Sequence, residues 1–106
     1  MDGKTDYEKV RAFAKRLRKD YSDAEVILFG SRARGDALEE SDFDIIAVSR
    51  AFEGTNFFRR IENMYDYWRE KEPLEVFCYT PEEFEAKRAQ IGTVKTALET
   101  AVKVGA

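Results

Sequence analysis

Three short apolar segments limit what this chain can become. Residues 24–29 (Ala-Glu-Val-Ile-Leu-Phe), 43–48 (Phe-Asp-Ile-Ile-Ala-Val) and 74–79 (Leu-Glu-Val-Phe-Cys-Tyr) are rich in β-branched and aromatic side chains, with Gly30 closing the first and Pro73 preceding the third. They are too short for buried helices and predict buried strands. Between them the apolar period becomes helical. Tyr7, Val10, Phe13, Ala14, Leu17 and Tyr21 recur behind Thr5-Asp6-Tyr7-Glu8, a capping-box pattern, and predict an amphipathic helix over about 6–20. Its outer face carries Lys9, Arg11, Lys15, Arg16, Arg18 and Lys19. Residues 31–41 are polar and hold Gly35, which suits a helical turn or two and a loop. Asn56 can cap a helix over about 57–70 with Phe57, Phe58, Ile61, Met64, Tyr65 and Trp68 inward, stopped by Pro73. Thr80-Pro81-Glu82-Glu83 starts a last helix, which can break at Gly92 and resume with Val94, Leu98, Ala101 and Val102 on one side. The order α-β-α-β-α-β-α predicts an α/β (α+β) fold, a small mixed three-stranded sheet flanked by helices. With no linker or repeat in the sequence, residues 1–106 are expected to form a single domain.

Composition removes whole classes of function. Eighteen basic residues against twenty-one acidic ones give a net charge of −3, so no overall basic field exists to hold nucleic acid. No apolar run approaches the length of a membrane span. Met1-Asp2-Gly3-Lys4-Thr5-Asp6 lacks the apolar core of a secretory signal, so a cytoplasmic location is expected. There is one cysteine, Cys78, and no histidine. A Ser-His-Asp or Cys-His triad, imidazole catalysis, an internal disulfide and histidine-ligated metals are thereby excluded. Chemistry here falls to carboxylates, Arg, Lys, Tyr, Ser, backbone groups and hard metal ions.

The acids and glycines have a pattern suited to that chemistry. Gly30-Ser31 is followed by ten residues and then Asp42-Phe43-Asp44. Side chains two apart on a strand share a face, so Asp42 and Asp44 stand about 6–7 Å apart along it and can reach one cation from two sides. Paired acids at the mouth of a buried strand are costly unless a metal ion or an arginine compensates them. Gly30 lets a phosphate approach the backbone, Ser31 adds a hydroxyl and an amide, and the guanidinium groups of Arg32 and Arg34 suit triphosphate oxygens. Arg32 and Arg34 can equally pair with Glu39 or Glu40 at the surface. If the first two strands pair antiparallel, Gly30-Ser31 and Asp42-Asp44 meet in one cleft. If the third lies parallel beside the second, Glu75 enters level with the other acids. Three acids around one point suit two magnesium ions and in-line displacement at phosphorus. Cys78 alternates with Leu74 and Val76 and reads as a core thiol.

Gly30-Ser31-x10-Asp42-x-Asp44, with the apolar-acid-apolar strand at Leu74-Glu75-Val76, resembles the minimal nucleotidyltransferases of the DNA polymerase β superfamily. It is similar to the MNT type that forms the antitoxin half of HEPN–MNT toxin–antitoxin pairs, over almost the whole chain. The resemblance implies the nucleotidyltransferase (polymerase β-like) fold, ATP with Mg²⁺ as donor, and transfer of a nucleoside monophosphate to a hydroxyl. It implies that Asp42 and Asp44 bind metal, Gly30 and Ser31 the triphosphate, and Glu75 a second metal or the acceptor's proton. Many relatives carry aspartate at that third place, and the glutamate here is longer by one methylene. The implied acceptor is a tyrosine of a HEPN-type ribonuclease toxin. This chain has no histidine and so is not itself that ribonuclease. Two other functions share the pattern: a non-catalytic module that neutralises a partner by contact, and transfer to a small molecule or an RNA end. Self-association is open to all three.

Overall fold

A computed structural model describes residues 4–90 and 98–105. Helix α1 (Asp6–Arg18) opens on a reciprocal cap. The Glu8 amide donates to Thr5 Oγ1 at 3.1 Å and the Thr5 amide donates to the Glu8 carboxylate at 2.8 Å. Asp6 and Glu8 lie in its first turn and Lys15, Arg16 and Arg18 in its last, as the helix dipole favours. Strand β1 (Glu25–Phe29) runs directly into the short helix α2 (Gly30–Arg34), and a loop leads to strand β2 (Phe43–Val48). After a 3₁₀ turn at Arg50–Phe52 comes α3 (Phe57–Met64), capped by Asn56, whose side-chain oxygen accepts the Arg59 amide at 2.9 Å. Strand β3 (Leu74–Tyr79), helix α4 (Pro81–Ala89) and strand β4 (Val102–Val104) complete the order. The Thr80/Glu83 pair caps α4 in the same reciprocal way as Thr5/Glu8 caps α1.

The sheet order is β3-β2-β1-β4. β1 pairs antiparallel with β2 and with β4, and β2 pairs parallel with β3 through the α3 crossover. Alternate residues feed two cores. On one face Val26, Leu28, Ile45, Ala47, Val76 and Cys78 pack against Val10, Phe13, Leu17 and Met64. On the other, Ile27, Phe29, Ile46, Val48 and Tyr79 pack against Phe84 of α4. Among the described residues no helix is long and apolar enough to cross a membrane.

The mixed sheet flanked by helices is as expected, with a fourth strand added. Residues 102–104 form β4, through Val26↔Val104, Ile27↔Lys103 and Leu28↔Val102, where helical periodicity had suggested a resumed helix. The outer edge of β1 offers unpaired backbone groups, and this pairing satisfies them. The predicted break at Gly92 and resumption at Val94 lie outside the described residues.

Helix α3 is shorter than the predicted 57–70. Tyr65–Tyr67 tightens to a 3₁₀ turn, and Trp68 turns extended so that its indole N–H donates to the Glu72 carbonyl at 2.7 Å. Its inward face agrees in part, for Met64 is in the core and Ile61 and Trp68 pack against it. Arg60 and Met64 are buried, whereas Phe57, Phe58 and Tyr65 are exposed. Arg60 is held there by the Glu83 carboxylate at 2.6 Å and by the carbonyls of Thr55 and Cys78 at 2.8 and 3.1 Å. Lys9, read as part of a solvated face, is buried too, 2.8 Å from Glu72.

Candidate active site

β1 ends where the backbone turns left-handed at Gly30, φ +74°. The antiparallel register sets Phe29 opposite Asp44, and the parallel register sets Asp44 opposite Glu75. Asp44 is therefore the middle of a row, with the glycine turn on one side and Glu75 on the other. Contact with the turn is close: a Cβ built on Gly30 would collide with the Asp44 carboxylate, whose Cγ would lie 3.1 Å away. Glycine is required there twice over, for its backbone angle and for the space. By strand alternation Asp44 and Glu75 project on the face that carries Phe29 and Ile46.

The electrostatics show how crowded this point is. Asp44 is pushed up to about 6, first by burial and then by the negative charge of Glu75, whose carboxylate is near enough to share a proton with it; Asp42 adds to the effect and Arg34 opposes it. The other two acids named from the sequence thus both act on Asp44. Among the described residues no three of them converge into a finished metal-binding cage. Three carboxylates repel, and drawing them together takes a compensating cation. The donor set fits magnesium, a hard ion that takes carboxylate oxygens, and the excess negative charge felt by Asp44 is what such an ion relieves.

Of the basic residues, Arg34 stands within electrostatic reach of Asp44 and is paired at 3.3 Å with Asp36. Arg32, expected at the nucleotide, is engaged elsewhere. Its guanidinium lies 4.4 Å over the Phe43 ring and donates to Asp6 and to the carbonyls of Glu39 and Ser41. It holds the Glu39 backbone, not either of the Glu39 and Glu40 carboxylates. The N-cap of α2 is Phe29, with no side-chain hydrogen bond, so Ser31 is not that helix's cap. Cys78 is a core thiol, pushed up to about 12 by burial. Asp6, a partner of Arg32, has no local signal of that role, because its place in the first turn of α1 already accounts for it.

A profile of the nucleotidyltransferase domain family matches residues 10–103, a span that includes the glycine turn and all three acids. The chain belongs to this family. Solved structures agree on the fold. A protein from Sulfolobus solfataricus with a provisional nucleotidyltransferase name is 23% identical with a TM-score of 0.64, over 92% of this chain and 77% of its own. A second provisional nucleotidyltransferase is 23% identical with a TM-score of 0.57, over 91% and 97% of the two chains. BolA1 from Arabidopsis thaliana is 28% identical with a TM-score of 0.53, over 69% of this chain and 94% of its own. One α/β layer hosts many functions, so the family profile and the acids, not the shared layer, assign this nucleotidyltransferase domain. No match was found among curated proteins.

Proposed function

We propose that this nucleotidyltransferase domain transfers AMP from ATP, with Mg²⁺, to a protein hydroxyl, the tyrosine of a HEPN-type toxin, and so acts as a cytoplasmic antitoxin. The observation that carries the reading is the row Gly30–Asp44–Glu75, in which a glycine turn packs against a carboxylate raised first by burial and then by the negative charge of Glu75. Magnesium, when held by Asp42, Asp44 and Glu75, supplies positive charge to the phosphoryl oxygens and lowers the pKa of the acceptor hydroxyl. The acceptor oxygen forms a bond to the α-phosphorus, the bond from that phosphorus to the α–β bridging oxygen breaks, and pyrophosphate leaves with the electron pair. Glu75, exposed on the edge strand β3, is open to a macromolecular acceptor and takes the hydroxyl proton. Gly30 gives the triphosphate close approach to the backbone, Ser31 offers its hydroxyl, and Arg34 adds positive charge.

The test is transfer of label from α-labelled ATP to a HEPN protein encoded beside this one. Asp42→Asn and Asp44→Asn are expected to abolish labelling, and equal labelling by both variants overturns the assignment. The exposed Phe57 and Phe58, with rings 6.3 Å apart, favour a second reading in which contact alone neutralises the partner. An Asp44→Asn protein that still neutralises without labelling selects that reading.

A further inference from the structure

Arg32 lies on α2 between Gly30-Ser31 and the loop that leads to Asp42. Its side chain is 7% exposed. Nη1 donates to Asp6 Oδ1 and Oδ2 at 3.2 and 3.4 Å, and Nη2 donates to the carbonyls of Ser41 and Glu39 at 2.7 and 2.9 Å. Nε is buried and has no acceptor among the described residues. Burying a guanidinium with one donor orphaned is expensive, and an aliphatic side chain would fill the space without that cost. What the aliphatic chain would lack is the grip on the loop.

That grip brackets Asp42. Ser41 and Phe43 are its two neighbours; the guanidinium holds the carbonyl of the first and lies over the ring of the second. The Phe43 amide donates to the Pro73 carbonyl at 2.9 Å, which ties the start of β2 to the residue that leads into β3, two before Glu75. Asp6 anchors the same guanidinium to α1. The backbone that presents Asp42 is therefore fixed against the helix that begins with Gly30 and Ser31.

Resting on the transferase reading above, we propose that Arg32 is a positioning residue: it touches neither nucleotide nor metal, and it holds Asp42 in register with Gly30-Ser31 so that the acids can bind a divalent ion. A direct phosphate contact makes different demands. Lysine keeps the charge a phosphate needs, but it has no planar fork to serve two carbonyls and a carboxylate while lying over a ring.

The experiment is calorimetric titration of the full chain with α,β-methylene-ATP, once with Mn²⁺ and once in a chelator, for the parent, Arg32→Lys and Asp6→Asn. Arg32→Lys is expected to lower the Mn²⁺-dependent affinity roughly 10- to 100-fold while changing the metal-free affinity by less than about twofold, the size of effect seen when groups behind metal ligands are removed. Asp6→Asn, which leaves Arg32 in place and weakens one arm, is expected to fall between them with the same split. If Arg32→Lys does not fold, that split in Asp6→Asn decides. Parent-like Mn²⁺-dependent affinity in the variants overturns the proposal. So does an equal loss with and without metal, which marks a phosphate contact or general damage. A parent chain that binds no Mn²⁺–nucleotide overturns the transferase reading and this proposal together, whereas an active parent with unaffected variants removes only the proposal.

Discussion

Replacing Gly30 by alanine separates two costs that this glycine avoids. The first is backbone strain. At φ +74° an L side chain meets the left-handed penalty of about 1–2 kcal/mol. The second is collision with the Asp44 carboxylate, which must leave its place. Driving one side chain off its rotamer costs about 0.5–1.5 kcal/mol, so Gly30→Ala is expected to lose roughly 2–3 kcal/mol in all. Gly35 supplies the control. Its φ is +85°, and a Cβ there meets nothing within 4 Å. Gly35→Ala is expected to lose only the backbone part, about 1–2 kcal/mol, and to keep nucleotidyl transfer. Urea denaturation measures both, and labelled-nucleotide transfer measures the consequence. Gly30→Ala is expected to abolish transfer because the displaced carboxylate is the one at the centre of the row. In the double variant Gly30→Ala/Asp44→Ala the carboxylate is gone and only the Cβ of residue 44, 3.3 Å from the new methyl, still crowds it, so the double is expected to be more stable than the sum of the two single effects. Equal destabilisation by Gly30→Ala and Gly35→Ala, with transfer retained in the former, refutes the reasoning.

Two further outcomes are expected. Because Asp44 is raised from 3.8 to about 6, the folded chain holds more protons than the unfolded one between those values, and its contribution to stability falls as pH rises through that window. Asp44→Asn is expected to raise Tm at pH 7.5 and to lose that advantage toward pH 4, as followed by calorimetry; a variant less stable than the parent at both pH values contradicts the crowding. On α3, Phe58 is 78% exposed and Met64 is fully buried. Phe58→Ser is expected to change stability by less than about 0.5 kcal/mol and Met64→Ala to cost about 2–5 kcal/mol, and a loss at Phe58→Ser as large as that at Met64→Ala in urea melts contradicts the exposed place of Phe58.

Much of the molecule is legible one residue at a time. β2 and β3 occupy the segments their composition predicts, because a buried strand needs only a short β-branched and aromatic run with a stop at its end. Thr5/Glu8 and Thr80/Glu83 cap α1 and α4 as their spacing indicates, since a cap is closed by groups three residues apart. The separation of Gly30 from Asp42 and Asp44 is likewise local, and antiparallel pairing of β1 with β2 brings its two ends together.

Charged side chains are where local reading fails. Lys9 reads as a solvated residue and Arg32 as a ligand-binding or surface one, and nothing in the local pattern marks Arg60, yet each side chain is buried by partners distant in the sequence. Glu72 lies 63 positions from Lys9, Asp6 lies 26 from Arg32, and Glu83 lies 23 from Arg60. Burial of a charge is tolerable only once its counter-charge has been folded against it, which no window of sequence contains. β4 has the same origin, for three residues become a strand only because β1 offers an open edge. The amino-acid order alone thus determined β1, β2 and β3, the caps and the kinds of side chain able to do chemistry at phosphorus. Tertiary packing decided which acid sits against the glycine, and that Arg32 grips the chain on either side of Asp42, because both depend on register between segments that meet only in the folded sheet.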